Sequence, residues 1–370
     1  MQDAHETGSV SAALSARIRA AIASAGGWLP FDRFMAMALY DPGLGYYASR
    51  GRKLGTMPQD GSDFVTAPEL SPLFGHTLAA QVGQALDAAG ADHVVEFGAG
   101  TGALAEAVLT ALAAQGRVAT RYTIVELSAS LRERQAGRLA GFGSRVQWSE
   151  AWPEAIHGVV LGNEVLDAMP VQLLHFDGER WQERGVVAEG QSFAFGDRAT
   201  DLHPPHEGRY LPGTVTEVHP QAEAFIRTLA SHLRRGAAFF IDYGFPEAEY
   251  YHPQRHGGTL MCHRAHQADM DPLSDVGEKD ITAHVNFTGI ALAGQEAGLE
   301  VAGYTSQARF LVNCGIAGLL EGAGLRERAM AQKLITEHEM GELFKVIAFV
   351  TPGLGLEPLG FTAGDRLHRL

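Results

Sequence analysis

One stretch limits what this chain can fold into more than any other. It is His93-Val94-Val95-Glu96-Phe97-Gly98-Ala99-Gly100-Thr101-Gly102, followed by a segment with Leu104, Val108 and Leu112 four residues apart. The apolar run reads as a strand, the alternate glycines as a tight turn, and the four-residue apolar spacing as a helix. Glycines let the backbone turn sharply and let a ligand come close. An open α/β sheet builds a cofactor site this way, at the carboxyl end of its first strand.

The glycines alone do not choose the cofactor. Gly98-x-Gly100-x-x-Ala103 also passes the dinucleotide pattern with its permitted terminal Ala, and a strand–helix joint without a ligand is a third reading. Glu96 discriminates. A pyrophosphate brings negative charge to this loop, which a carboxylate just before it repels. S-adenosylmethionine brings no phosphate, but an ammonium, a sulfonium and a ribose. The loop residues Glu96, Gly98, Ala99, Gly100 and Gly102 are therefore expected to hold that cofactor.

Composition excludes several classes. The 370 residues carry a net charge of −14, from 43 acids and 29 bases, with no basic cluster beyond Arg50-Gly51-Arg52-Lys53. Nucleic acid is thus a poor partner and a cationic substrate a better one. The two cysteines, Cys262 and Cys314, form no CxxC motif, so neither a disulfide framework nor a cysteine-rich metal site is expected. The amino terminus is not basic, and no apolar run reaches 18 residues. No signal peptide and no membrane span are read, and a cytoplasmic location is expected by default.

Along the chain, residues 1–90 read as helices and a Gly-rich arm that runs from Gly45 to Pro68. Helices are expected over 9–25, from Pro30 to Tyr40 and from Glu69 to Ala88. Residues 91–350 read as the core, with strands at 93–97, 122–126, 146–148, 157–164 and 237–244. A pair at 299–306 and 343–350 follows, separated by a helical stretch from about 310 to 335. Insertions interrupt this core: short antiparallel strands at 171–212, and a His-, Gly- and Pro-rich lid at 245–285. Residues 351–370 read as a loose tail. Strand–helix alternation implies a parallel sheet. A final antiparallel strand would mark the seven-stranded methyltransferase sheet rather than the six-stranded dinucleotide sheet.

Several polar residues fall where such a sheet does chemistry. Glu126 ends the second strand, where a carboxylate accepts ribose hydroxyls, and Leu127 follows it. Trp148 and Ser149, after the third strand, lie beside the base in this topology, though Trp148 can equally be core. Asn163-Glu164-Val165-Leu166-Asp167 leaves the fourth strand beside the topological switch point. Asn163 can offer a carbonyl to an ammonium, and Glu164 and Asp167 can hold a cation and accept a proton. A capped helix start is the competing reading. Tyr243, at the end of the fifth strand, gates substrate or packs under the insertion. Asp280 and His284, four apart, form a carboxylate–imidazole pair poised near neutrality or a capped turn. The scattered histidines of the second insertion show no metal-ligand spacing, and no metal is expected.

These stretches resemble the MidA-like family of S-adenosylmethionine-dependent methyltransferases, which includes the mitochondrial complex I assembly factor with protein arginine methyltransferase activity. The likeness runs through Gly61-Ser62-Asp63-Phe64-Val65-Thr66-Ala67-Pro68-Glu69-Leu70-Ser71, Glu96 to Gly102, Glu126-Leu127-Ser128 and Asn163-Glu164 with Asp167-Ala168. It continues in Ile241-Asp242-Tyr243-Gly244, Gly258-Thr259-Leu260, Gly277 to Val285 and Phe344-Lys345-Val346. It implies a class I Rossmann-like methyltransferase fold with a helical N-terminal region and inserted β and lid elements. It further implies arginine in a protein as acceptor, and by analogy a respiratory-complex subunit as partner. The residues expected to carry catalysis are Glu164, Asp167, Asp280 and His284. Asp63, Phe64, Pro68, Glu69 and Tyr243 are expected to meet the acceptor. Two other functions stay open at this point: a cofactor-binding assembly factor without turnover, and a nicotinamide oxidoreductase.

Overall fold

The computed structural model describes residues 3–48, 65–118, 120–264 and 267–370, with side chains from residue 11 onward. Helix α1 (Asp3–Ser24) buries Leu14, Ile18 and Ile22, the face set by their four-residue spacing. It begins earlier than the expected residue 9. Helix α2 (Phe31–Tyr40) buries Phe31, Phe34, Met35, Ala38 and Leu39. The helix expected from Glu69 is divided. A single turn at Ala67–Leu70 ends at Ser71, whose φ of −156° is extended, and α3 (Pro72–Ala89) starts after it. Pro72 is the cause, because its ring drives the preceding residue out of the helical region.

The central sheet follows. In chain order its parts are β1 (His93–Phe97), α4 (Ala103–Ala114), β2 (Arg121–Val125), α5 (Ala129–Leu139), β3 (Val146–Ser149) and β4 (Ile156–Asn163). After the first insertion come α6 (Pro220–His232) and β9 (Leu233–Phe245). After the second come α7 (Phe287–Glu296), β13 (Glu300–Ser306) and β14 (Phe344–Val350). Spatial order is β13-β14-β9-β4-β1-β2-β3, with a two-residue strand at Val285–Asn286 pairing with β9 off this path. β14 is antiparallel to both neighbours and the remaining core pairs are parallel. This is the antiparallel strand that sets the expected sheet apart from a fully parallel one.

Both faces of the sheet are covered, so its strands alternate between two apolar cores. Val159, Leu161, Phe239, Ile241, Val346 and Ala348 face the side packed by α3 and α4. Val160, Ala238, Phe240, Ile347 and Phe349 face the side packed by α6 and α7.

The first insertion forms β5 (Gln172–Phe176), β6 (Trp181–Glu189) and β7 (Ser192–Ala199), and it extends beyond residue 212 to β8 (Val215–Val218). Leu29–Pro30 adds an edge strand to β6 from the N-terminal region. The second insertion is a three-stranded sheet of β10 (Met261–Arg264), β11 (Gln267–Asp269) and β12 (Asp280–Thr282). A third apolar core joins these pieces: Leu14 and Ile18 of α1, Phe34 of α2, Leu173, Val186, Cys262 and Ile281.

The last residues are not a loose tail. Leu354 and Phe361 are buried. The side-chain oxygens of Gln84 and Gln81 accept the backbone N–H groups of Leu359 and Gly360, both at 2.8 Å. Glycine and proline punctuation there shapes a packed strap rather than releasing the chain. Among the described residues, no helix is long and apolar enough to cross a membrane.

Candidate active site

The glycine loop leaves β1 with Gly98, Gly100 and Gly102 at φ of 64°, 53° and 85°. A Cβ on Gly98 would also come within 3.0 Å of Val165 Cγ2, so this position needs both the left-handed backbone and the missing side chain. Ala99 tucks into the core behind the loop. Glu96 lies beneath it, buried, and its Oε2 accepts from the Tyr122 hydroxyl at 2.7 Å. Burial pushes the Glu96 carboxyl up to about 8, so its negative charge is recovered when a cation sits nearby.

The loop is latched from outside by Glu69 and Arg138. Glu69 was expected to meet an acceptor. Its carboxylate instead accepts from Thr101 in the loop and from Arg138 Nη1 at 3.0 Å. Arg138 also bonds Thr101 and reaches Glu106 at 3.5 Å. Glu69 is thus a clamp on the glycine loop. Its partners lie far along the chain, which is why local sequence did not reveal them. Pro68 sits in the single turn before α3, and Asp63 and Phe64 lie outside the described residues.

Glu126 follows β2, and its Oε1 accepts from the Ser128 N–H at 2.9 Å. Gln135 completes this side of the cradle. Its amide donates to the Gly100 carbonyl at 2.8 Å and to Glu126 Oε2 at 3.3 Å, and its Oε1 accepts from the Trp148 indole at 2.9 Å. The fully buried Gln135 ties loop, carboxylate and indole together. Sequence reading missed it, although a polar residue midway between Leu131 and Leu139 on an otherwise apolar helix stripe was the available signal. Trp148 is partly buried against the core. Leu127 is 71% exposed at the rim, and Ser149 Oγ turns to the Ala151 carbonyl at 2.7 Å.

Beyond β4 the chain forms no helix, and the capped-start reading of Asn163 is set aside. Asp242, at the end of β9, shapes this turn instead. Its Oδ2 accepts the N–H groups of Val165 at 3.1 Å, Leu166 at 2.9 Å and Asp167 at 3.3 Å. Glu164 stands at φ 53°, a left-handed conformation uncommon outside glycine. Asn163 Nδ2 donates to Glu164 Oε1 at 2.9 Å, and the Ala67 N–H also donates to this carboxylate. In this turn two buried oxygens, Asn163 Oδ1 and Asp167 Oδ1, have no hydrogen-bond partner among the described residues. Buried polar atoms are rarely orphaned, and such exceptions commonly mark ligand sites.

Acidic charge accumulates here. Burial, with the Asp167 charge second, pushes the Glu164 carboxyl up to about 8. Burial pushes Asp167 up to about 6, against the pull of its hydrogen bond from Tyr243. Burial and the neighbouring Asp167 and Glu164 also raise Asp242, against the N–H donors around it. Asp280 lies within electrostatic reach of Glu164 and accepts from the Tyr47 hydroxyl at 2.9 Å. Among the described residues, Glu164, Asp167 and Asp242 form no ion pair with a Lys, Arg or His. Tyr243 is bonded to Asp167 and Thr282.

His284 is not a partner poised near neutrality. Residues 280–282 are a strand, so a four-residue separation is not the neighbour spacing it would be in a helix. The imidazole stacks on Phe245 at 5.2 Å and meets Tyr243 edge-on at 5.1 Å. Burial, with Arg255 and Lys345 nearby, pushes it down to about 4, so it is neutral at pH 7. Its carbonyl accepts from His219 at 2.9 Å and its N–H donates to Thr259 Oγ1 at 3.0 Å. These contacts make it part of the wall behind the carboxylates.

A family model described as "Putative S-adenosyl-L-methionine-dependent methyltransferase" matches residues 77–305. A Burkholderia thailandensis protein solved with bound S-adenosyl-homocysteine is 51% identical, with a TM-score of 0.94 over 99% of this chain and 98% of that one. A native structure from the same organism is 50% identical, with a TM-score of 0.90 over the same shares. The mitochondrial protein arginine methyltransferase NDUFAF7 of Xenopus tropicalis is 28% identical over 78% of this chain and 73% of its own length. The Caenorhabditis elegans homolog is 26% identical over 90% and 85%. The cytoplasmic location expected by default is contradicted by the NDUFAF7 relatives, which are described as mitochondrial.

Proposed function

The chain belongs to the S-adenosylmethionine-dependent methyltransferase family, and from that premise we propose that it methylates a guanidinium nitrogen of arginine in a protein. The observation that carries this reading is the rim of β4 and β9. Among the described residues it gathers Glu164, Asp167 and Asp242 with no basic side chain paired to them and leaves Asn163 Oδ1 and Asp167 Oδ1 without a hydrogen-bond partner. Buried carboxylates without a counter-charge are costly, and a cationic ligand removes that cost.

The residues divide by position. Gly98 to Gly102 and Ala99 supply a backbone cradle, Glu126 a carboxylate for ribose hydroxyls, and Asn163 Oδ1 an acceptor for an ammonium. Leu127, Trp148 and Ser149 border the base. When bound, S-adenosylmethionine supplies an electrophilic methyl on a cationic sulfur. Glu164 and Asp167 hold the guanidinium by charge-assisted hydrogen bonds, which fixes which nitrogen faces the donor. That nitrogen must shed a proton as it gains the methyl. Glu164, near 8, and Asp167, near 6, are placed to accept it. Asp280 adds negative charge on the acceptor side, and Tyr243 fixes Asp167. We read the N-terminal helices and both insertions, which share a core, as the face that meets the protein acceptor. The arginine assignment draws on the relatives' activity, and a respiratory-complex subunit is the first acceptor to try.

The test is transfer of labelled methyl from S-adenosylmethionine to lysate proteins, followed by mass spectrometry of the labelled residues. Wild type is expected to label arginine. Glu164→Gln, which keeps shape and removes the charge, is expected to lower incorporation by about 100-fold or more. Label on another residue type, or equal labelling by the variant, refutes the assignment.

A further inference from the structure

Two tyrosines from the N-terminal region reach this cluster without belonging to the cofactor cradle or to the carboxylate set. Tyr40 ends α2, and Tyr47 follows the turn after it. Their rings stack with centroids 5.5 Å apart and planes 19° from parallel. Tyr47 donates to both Asp280 oxygens at 2.9 Å. Tyr40 donates to the carbonyl of Ala168, next to Asp167, at 2.8 Å. Tyr40 nevertheless remains 39% exposed. One ring face is covered by Tyr47 and the hydroxyl is bound.

The position of that ring is informative. Its hydroxyl feels the charges of Asp280, Asp167 and Glu126. Through its hydroxyl the ring thus lies within electrostatic reach of both the rim carboxylates and the carboxylate assigned to ribose, beside Asp167 through the Ala168 bond. A negative surround with an aromatic face beside it suits a planar, weakly hydrated cation.

Resting on the arginine reading above, we propose that the open face of Tyr40 is an acceptor subsite that stacks the guanidinium and selects it over a primary ammonium. The stacked Tyr47 holds the ring in place, and the Ala168 bond sets its tilt. Carboxylates attract either cation; the flat ring face favours the flat one.

The test uses the full chain saturated with S-adenosyl-homocysteine. The probes are acetyl-Gly-Arg-Gly-amide and acetyl-Gly-Lys-Gly-amide, titrated by ligand-observed NMR. Wild type is expected to bind the arginine peptide several-fold more tightly. Tyr40→Leu is expected to lose about 3- to 10-fold in affinity for it, with the preference over lysine reduced. Tyr40→Phe, which deletes the Ala168 bond but keeps the ring, is expected to stay within about twofold of wild type. If Leu binds like wild type, or Phe falls as far as Leu, the subsite is overturned while the arginine reading stands. If wild type shows no preference for arginine, that reading falls and the subsite with it.

Discussion

Glu164 combines a left-handed backbone, a hydrogen bond from its neighbour Asn163 and a carboxyl raised to about 8 by burial and by Asp167. The left-handed backbone and the buried acid cost stability, and burial holds a proton in place, against the pull of the Asn163 hydrogen bond, until a cation arrives. Glu96, also near 8, behaves alike under the glycine loop. Between about 4.5, the ordinary value, and 8, the native protein keeps protons that the unfolded chain has released. Unfolding free energy therefore falls as pH rises through that window. The unfolding midpoint without ligand is expected to drop from pH 5.5 to pH 8.5, and less steeply in Glu164→Gln. Binding has the opposite sign. An ammonium stabilises the ionised acid, so affinity for S-adenosyl-homocysteine should rise between pH 6.5 and 8.5. One coupled proton limits the gain to about tenfold per pH unit. Calorimetry in buffers of different ionisation enthalpy checks this by detecting proton release; binding that is flat with pH and releases no proton contradicts it.

At the scale of elements, one buried acid pins the two insertions together. Glu217 of β8 accepts the N–H groups of Thr259 at 2.8 Å and Leu260 at 3.0 Å, and the Tyr250 hydroxyl at 2.8 Å. This geometry explains Gly258 in the Gly-Thr-Leu segment. Its φ is 75°, and a Cβ there would lie 2.4 Å from Glu217 Oε1. That oxygen cannot move aside without losing its donors. Gly258→Ala is expected to cost about 2–4 kcal/mol, from left-handed strain plus a disturbed buried carboxylate. Gly257→Ala, with open space around its position, should stay within about 0.5 kcal/mol. Urea unfolding of the pair decides it, and equal values for the two would remove the pin. Such pins also show what was legible beforehand. The strand–loop–helix at 93–112 and the polar turn at 163–167 are contiguous, and their composition stated their place. Gln135, Glu69 and Tyr40 act on residues distant in sequence, so spacing could not reveal them. His284 differs from expectation for a related reason: a four-residue separation brings side chains together in a helix, and residues 280–282 are extended.

Across the whole molecule, the final residues show how far composition can mislead. Glycine and proline between 352 and 364 suggested a loose end, yet this strap closes the open edge of the sheet. β13 is irregular between Val301 and Gly303, and the ring of Phe361 occupies the space above Gly303, 2.2 Å from where a Cβ would stand. Phe361 meets Phe310 edge-on at 5.4 Å. Asp365 Oδ1 accepts the Tyr304 N–H at 3.1 Å, and Arg366 pairs with Glu342. The edge strand that would otherwise offer unpaired backbone is thereby covered. Phe361→Ala removes a buried ring, and the strap gives it only partial freedom to collapse, so the expected loss is about 3–5 kcal/mol. The strap lies on the far edge from β1 and β2 in the strand order. The folded variant should therefore bind S-adenosyl-homocysteine as wild type does while its urea midpoint falls. A change under about 0.5 kcal/mol, the range of ordinary surface substitutions, would return residues 351–370 to the status of a tail.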